Sequence, residues 1–322
     1  MEPALRLDRL AKTFGSTRAV DELDLVVPRG ATYGFIGPSG AGKTTCIRMI
    51  MSILFPDSGE LDVLGHPSAL EAKDRIGYLP EERGVYRKMR VETFLVYIGR
   101  LKGLKADEAA TRARALLERV GLPGVERKRC EDLSKGMLQR VQIAAAIIHR
   151  PDLLILDEPF SGLDPVSVRL LREIVLDEHR RGATILFSTH VMSHAEEICQ
   201  HVVMIHRGRK VLDEPMARLR RRFDPRIVRV EPLEADADVP SQLALPEVER
   251  ITRRGAGYEV LLRESADPAA FMRAAVERLA VARLELSRLT LEDIFVRVVS
   301  EGEAEDTALR ASLRVDAEGV TA

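Results

Sequence analysis

No stretch of this 322-residue chain is long and apolar enough to span a bilayer; the uncharged runs stop well short of the ~20 residues a membrane helix needs. The opening segment MEPALRLDRLAKTF lacks the basic-then-apolar layout of a signal peptide. A chain of this kind working at a membrane needs another chain to supply the membrane part. Cysteine is scarce. Cys46, Cys130 and Cys199 are too far apart for a zinc site or a disulfide framework, and they read as reduced thiols. Excess charge is also missing: 49 Lys and Arg stand against 50 Asp and Glu, a formal net charge of -1. A nucleic-acid-binding chain carries a basic surplus, so no nucleic-acid partner is expected.

What the chain has is the stuff of a large core. Hydrophobic residues make up 45% and charged residues 31%, and the length suits two domains. From Leu5 to Val27 apolar and polar residues alternate, with Gly15 between the two runs, as in paired β-strands. Tyr33 to Ile36 is an apolar strand. It runs into a glycine-rich loop and then a helix with Ile47, Ile50 and Leu54 on one face. Two helical stretches lie between Val91 and Val120, stopped by Gly103 and Gly121, and another is expected from Ser134 to His149. Leu153, Leu154, Ile155 and Leu156 form an unbroken apolar run, which a strand buried on both faces of a parallel sheet requires. ATILFSTH repeats the pattern, and VVMIHRGRKVL reads as a hairpin turning at Gly208. Beyond Phe223 short alternating strands and two amphipathic helices indicate a small separate α+β domain. The polar segment 301–322 is expected to be disordered.

Chemistry enters at GPSGAGKT, Gly37 to Thr44, which fits G-x-x-x-x-G-K-[ST]. Gly37, Gly40 and Gly42 let successive N–H groups turn toward an anion, with Pro38, Ser39 and Ala41 between them. The helix that follows, through Thr45, adds its N-terminal partial charge. Lys43 is a point charge for β and γ phosphates, and Thr44 offers a hydroxyl to Mg²⁺. Asp157 and Glu158 end the apolar strand LLILDEP, where open α/β sheets bind ligands. Asp157 suits Mg²⁺, and Glu158 suits a base that polarises a water for attack on a γ phosphate. Ser134 is a good N-cap and Gly136 allows close approach, so LSKGM is either a simple cap or a second anion site.

These motifs, in this order from Leu5 to Ala217, resemble the ATPase subunits of ABC transporters. LSKGMLQR at Leu133 to Arg140 is similar to the signature usually written LSGGQ, and SGLD at Ser161 to Asp164 is similar to the D-loop. His190 stands where the family has its switch histidine, and Phe14 where it stacks an aromatic ring on adenine. The resemblance implies the fold: an α/β P-loop NTPase core with a mainly parallel sheet, an antiparallel β subdomain and an inserted helical subdomain. It implies residues 1–222 as the ATPase domain (helical part about 88–150) and 223–300 as a small α+β accessory domain.

The same resemblance implies ATP and Mg²⁺ as cofactors. It also implies a head-to-tail dimer, of like or unlike ATPase subunits, in which Ser134, Gly136 and Asp164 face the partner's nucleotide. An integral-membrane permease would grip the segment Glu82 to Val91 through Val85, Tyr86 and Met89, at the cytoplasmic face of the cell membrane.

Two positions depart from the pattern. Glu81 stands where the family has a Q-loop glutamine, and an ionised glutamate accepts hydrogen bonds without donating. Lys135 and Met137 replace a glycine and a glutamine of the signature. Both departures are similar to the type-2 exporter subgroup for sodium extrusion and drug or polysaccharide export. LTLEDIFVRVV at Leu289 to Val299 resembles the end of that subgroup's accessory domain, for packing or for ligand sensing. The basic run Arg218 to Arg226 reads as a linker or as an anionic-lipid contact. The alternative to a transport ATPase is an ABC-type ATPase acting on ribosomes or DNA.

Overall fold

The structure, a computed structural model, describes residues 2–82, 84–223, 226–287 and 289–300. The expectation for 301–322 lies outside them. The chain divides into two compact units. One holds the residues up to Met216 with those from Phe295 on, and the other is Ala217–Ile294.

In the first unit β1 (Leu5–Phe14) and β2 (Thr17–Val27) pair antiparallel around Gly15, which has a φ of 58°. Their alternation buries Leu5, Leu7, Leu23 and Leu25 on one face. β3 (Thr32–Ile36) is buried along its whole length and leads to α1 (Lys43–Ile50). Leu54 does not share this helix, contrary to the periodicity. The helix stops at Ile50, and Ser52 takes a φ of 55° while its hydroxyl bonds Ser68 and accepts from the Ala69 N–H. Leu54 still packs on the same core from the turn that follows.

β4 (Ser58–Val63) joins β1 to complete a three-stranded sheet in the order β2-β1-β4. Then come β5 (Ile76–Leu79), α2 (Val91–Leu101), α3 (Ala106–Arg119), α4 (Lys135–Ile147) and β6 (Leu153–Asp157). The unit continues with α5 (Pro165–Arg180), β7 (Thr184–Thr189), α6 (Met192–Ile198), β8 (His201–His206) and β9 (Arg209–Pro215).

The main sheet runs β5-β6-β7-β3-β8-β9, parallel except for β9. Its register decides where the site falls. Ile36 lies beside Thr189, Asp157 beside Ser188, and Leu79 beside Leu156. Four strands therefore end together, and the loops after them converge on one edge.

The chain passes from the first unit to the second in α7 (Met216–Arg222), all but whose first residue belong to the second. β10 (Ile227–Pro232), α8 (Val239–Gln242), β11 (Val248–Arg254), β12 (Gly257–Leu262), α9 (Pro268–Arg278) and β13 (Val281–Leu286) follow. Its antiparallel sheet has the order β11-β12-β10-β13 and buries Val228, Val230, Val260 and Leu262 with Phe271 and Ala275 of α9. Residues 291–300 are helical. Leu291 and Ile294 are buried, and Thr290 caps the start by accepting from the Asp293 N–H at 3.1 Å.

Candidate nucleotide site

The loop after β3 has little room for side chains. A Cβ on Gly37 would stand 2.2 Å from the Ile205 carbonyl oxygen, and one on Gly42 2.2 Å from that of Ala19. Gly42 also has a φ of 107°, so glycine is required there by both space and conformation. The turn between β8 and β9 clamps the loop. The Gly208 N–H donates to Ala41 O at 2.9 Å, and Gly208 O accepts from the Asp21 N–H of β2 at 2.9 Å. No side chain caps α1, so its first-turn N–H groups are open to an anion. Lys43 is buried at 6% exposure and donates to Gly37 O at 2.8 Å and Pro38 O at 3.1 Å. Burial pulls its pKa down, against Glu158, Asp157 and Glu81, whose charges hold it up.

Asp157, the last residue of β6, is fully buried, and neither carboxylate oxygen has a hydrogen-bond partner among the described residues. Burial raises its pKa; the nearby Ser188 and Thr44 hydroxyls act in the opposite sense, while Glu81 and Glu158 push it further up. Three carboxylates thus lie around one buried lysine, and two of their oxygens are orphaned. A divalent cation beside Thr44 and Asp157 would relieve both conditions, so the residues present fit Mg²⁺. Thr44 Oγ1 donates to Glu81 Oε2 at 3.4 Å, which brings the Q-loop position onto the same spot.

Glu158 turns away from Asp157 because its φ is 50°, a left-handed value for a side-chain-bearing residue. Such a conformation costs about 1–3 kcal/mol and persists only where the surroundings fix it. Here the Glu158 N–H donates to Ser188 O at 3.0 Å. Its carboxylate accepts from Thr189 Oγ1 at 3.2 Å and from the His190 N–H at 2.9 Å, with His190 Nδ1 2.8 Å from the same oxygen. Lys43 Nζ lies 4.0 Å away. Glu158 is 7% exposed. The His190 side chain is nearly half exposed, so its ring spans from the buried acid to the surface.

A cavity of 190 Å³ is lined by Ala19, Ser39, Gly40, Gly42, Lys43, Thr44, Thr45, Glu81, Glu158 and His190. The structure therefore gathers the phosphate loop, the acid and the histidine. Of the expected residues, Phe14, Gly37, Pro38, Ala41, Ser134, Gly136, Asp157 and Asp164 do not line this cavity. Phe14 is half exposed near the hairpin tip, with Lys12 Nζ 5.8 Å from its ring centroid. Ser134 caps α4 by accepting from the Met137 N–H at 3.3 Å, and Gly136 faces Leu163. Asp164 caps α5, accepting from the Val166 and Ser167 N–H groups and the Ser167 hydroxyl, and these bonds lower its pKa. Sequence reasoning missed Ala19 and Thr189. Thr189 directly precedes His190 in STH, and a hydroxyl at that strand end was the available signal.

Comparison with known proteins agrees with this geometry. A family model described as ABC transporter matches residues 20–161, and one described as ATP-binding protein DrrA1-3-like, C-terminal domain, matches residues 215–299. YhaQ, an uncharacterized ABC transporter ATP-binding protein of Bacillus subtilis, is 44% identical over 226 residues, 70% of this chain and 76% of its own. Nod factor export ATP-binding protein I of Cupriavidus metallidurans is 35% identical over 304 residues, 92% of this chain and 98% of its own. A solved ATP binding subunit of an ABC transporter superposes with a TM-score of 0.63 at 31% identity, over 68% of this chain and 93% of that one. With relatives of this kind, the ribosome- or DNA-associated alternative falls away. The chain belongs to the ATP-binding subunits of ABC transporters, which bind ATP and hydrolyse it to power transport.

Proposed function

We propose that the chain drives an exporter, and that the residues at the converging strand ends perform the hydrolysis. The observation that carries this reading is the Glu158–His190 contact of 2.8 Å in a cavity that Lys43 and Thr44 also line. The N–H groups of Gly37 to Thr45 and the Lys43 ammonium hold the phosphates. Thr44 and Asp157 hold Mg²⁺, which when bound neutralises phosphate charge. Glu158 accepts a proton from the attacking water, and His190 and Thr189 fix its orientation. Phe14 receives the base. Ser134 and Gly136 at the start of α4 and Asp164 at the start of α5 serve the nucleotide of a second subunit, as the family resemblance implies.

Export is supported by the Nod factor export relative, which matches along 92% of this chain. The partner is an integral-membrane permease, and the chain sits at the cytoplasmic face of the membrane. Among the described residues no helix is long and apolar enough to cross one. The permease contact is the segment around Tyr86, which is 53% exposed and packs edge-on to Phe94 and Tyr97 beside a groove lined by Tyr78, Phe94 and Ile98. Residues 1–222 act as the ATPase domain and 223–300 as an accessory domain.

The expected result is that the chain, purified from detergent-solubilised membranes, carries one integral-membrane protein in fixed ratio. Tyr86→Asp should lose that protein while the ATPase rate of the isolated subunit is unchanged. Retention of the membrane protein by the variant would remove Tyr86 from the interface.

Glu81→Gln tests the departure at the Q-loop position. Losing one of three carboxylates around the Mg²⁺ site should raise the Mg²⁺ concentration needed for half-maximal turnover by about threefold to tenfold. Titration of ATPase rate against Mg²⁺ measures this directly. An unchanged midpoint together with unchanged stimulation by the permease would mean that Glu81 takes no part.

A further inference from the structure

The catalytic carboxylate is held on one side by Thr189 at the end of β7 and by His190 directly after it. On the other side the chain leaves it through Pro159, and the Pro159 carbonyl is also engaged. Gln139 Nε2 of α4 donates to it at 3.0 Å, across 20 residues of sequence, and Gln139 is 8% exposed. Gln139 lies five residues from Ser134, which caps the same helix. Glu158 sits in a left-handed conformation that its surroundings must maintain, and its carbonyl also accepts from the Ser161 N–H at 3.2 Å.

We propose that Gln139 is a positioning residue: through Pro159 it sets the place of Glu158, so that whatever engages the N-terminus of α4 is felt at the carboxylate of the same chain. This rests on the reading of Glu158 as the base and of Ser134 as facing a second subunit's nucleotide. The route is short, and it is buried at Gln139 and Pro159. A helix of 13 residues moves as one body, and its buried amide holds the carbonyl directly after Glu158. Seating a phosphate at Ser134 of one chain therefore adjusts the base of that chain, which serves its own nucleotide. The two sites of a pair are linked in this way without contact between their ATP molecules.

Two variants test the bond. Gln139→Met keeps length and removes the donor. Gln139→Glu keeps shape and donates only when protonated. Both are expected to lower kcat about tenfold or more at about pH 8, within the hundredfold that a small misplacement of a catalytic group costs. The KM for ATP and the melting temperature should stay near wild type. The ratio of Gln139→Glu to wild-type turnover should rise as pH falls from about 8 to about 6, because the protonated carboxyl regains an O–H donor; the Gln139→Met ratio should stay flat. The Hill coefficient for ATP should fall toward one in the methionine variant.

Wild-type kcat in a folded Gln139→Met protein would overturn the proposal. So would equal, pH-independent losses in both variants. If either variant is too unstable to assay, the other still decides, since each predicts its own outcome. Full activity in Glu158→Gln would instead overturn the reading beneath it, which separates the two failures.

Discussion

Glu158→Gln is expected to lower ATP turnover by about a hundredfold or more, the scale of losing a general base, while ATP affinity stays within about threefold. The amide is nearly isosteric. It keeps one oxygen, which can still accept from the His190 N–H, and its NH₂ group takes the place of the oxygen that meets the Thr189 hydroxyl, a group that can accept as well as donate; but it no longer takes a proton from water. Glutamine is also tolerated as poorly as glutamate at a φ of 50°, so the backbone gains no new freedom to rearrange. Nucleotide then binds and stays. If two chains close around it, the variant with ATP should elute at twice the subunit mass on size exclusion, and adding Ser134→Arg should return it to one. Normal turnover in Glu158→Gln would sink Glu158 as the base. A trapped species that ignores Ser134→Arg would sink the head-to-tail arrangement.

Lys43→Ala should weaken ATP binding by roughly tenfold to a hundredfold, from loss of charge-assisted hydrogen bonds of about 1.5–3 kcal/mol. The true loss should lie at the upper end. Lys43 is buried, so its charge is poorly screened, and it is the cation that Asp157, Glu158 and Glu81 all act upon. Without it those carboxylates face the phosphates with less to offset them. Calorimetric titration with ATP and Mg²⁺ reads the affinity, and a melting curve separates it from unfolding. Unchanged affinity in the folded variant would count against the phosphate-loop reading of Gly37 to Thr44.

Much of the fold could be read because strong local rules were at work. Leu153 to Leu156 has no polar break, so it had to be buried on both faces, and it became the second strand of the main sheet. GPSGAGKT was legible as a tight loop, and the structure has a reason for its last glycine, since a Cβ on Gly42 would meet the Ala19 carbonyl oxygen. Other elements escaped for physical reasons. β4, SGELDV, is largely exposed and polar, and its strand character comes from pairing with β1 rather than from its own residues. The contact of Glu158 with Thr189 and His190 depends on the register that sets Asp157 beside Ser188, and no single-strand pattern contains a register. The Gln139–Pro159 bond is hidden for the same reason: its partners meet only after helix and sheet have packed.

The clamp made by Gly208 has a consequence for which molecules fit. It joins Ala41 of the phosphate loop to Asp21 of β2, and β2 is one arm of the hairpin whose tip region carries Phe14. If Phe14 receives the base as proposed, the seat for the phosphates and the platform for the base are two marks joined through this one clamp. A ligand is measured for length as well as for charge, and one too short to reach both marks forfeits one of them.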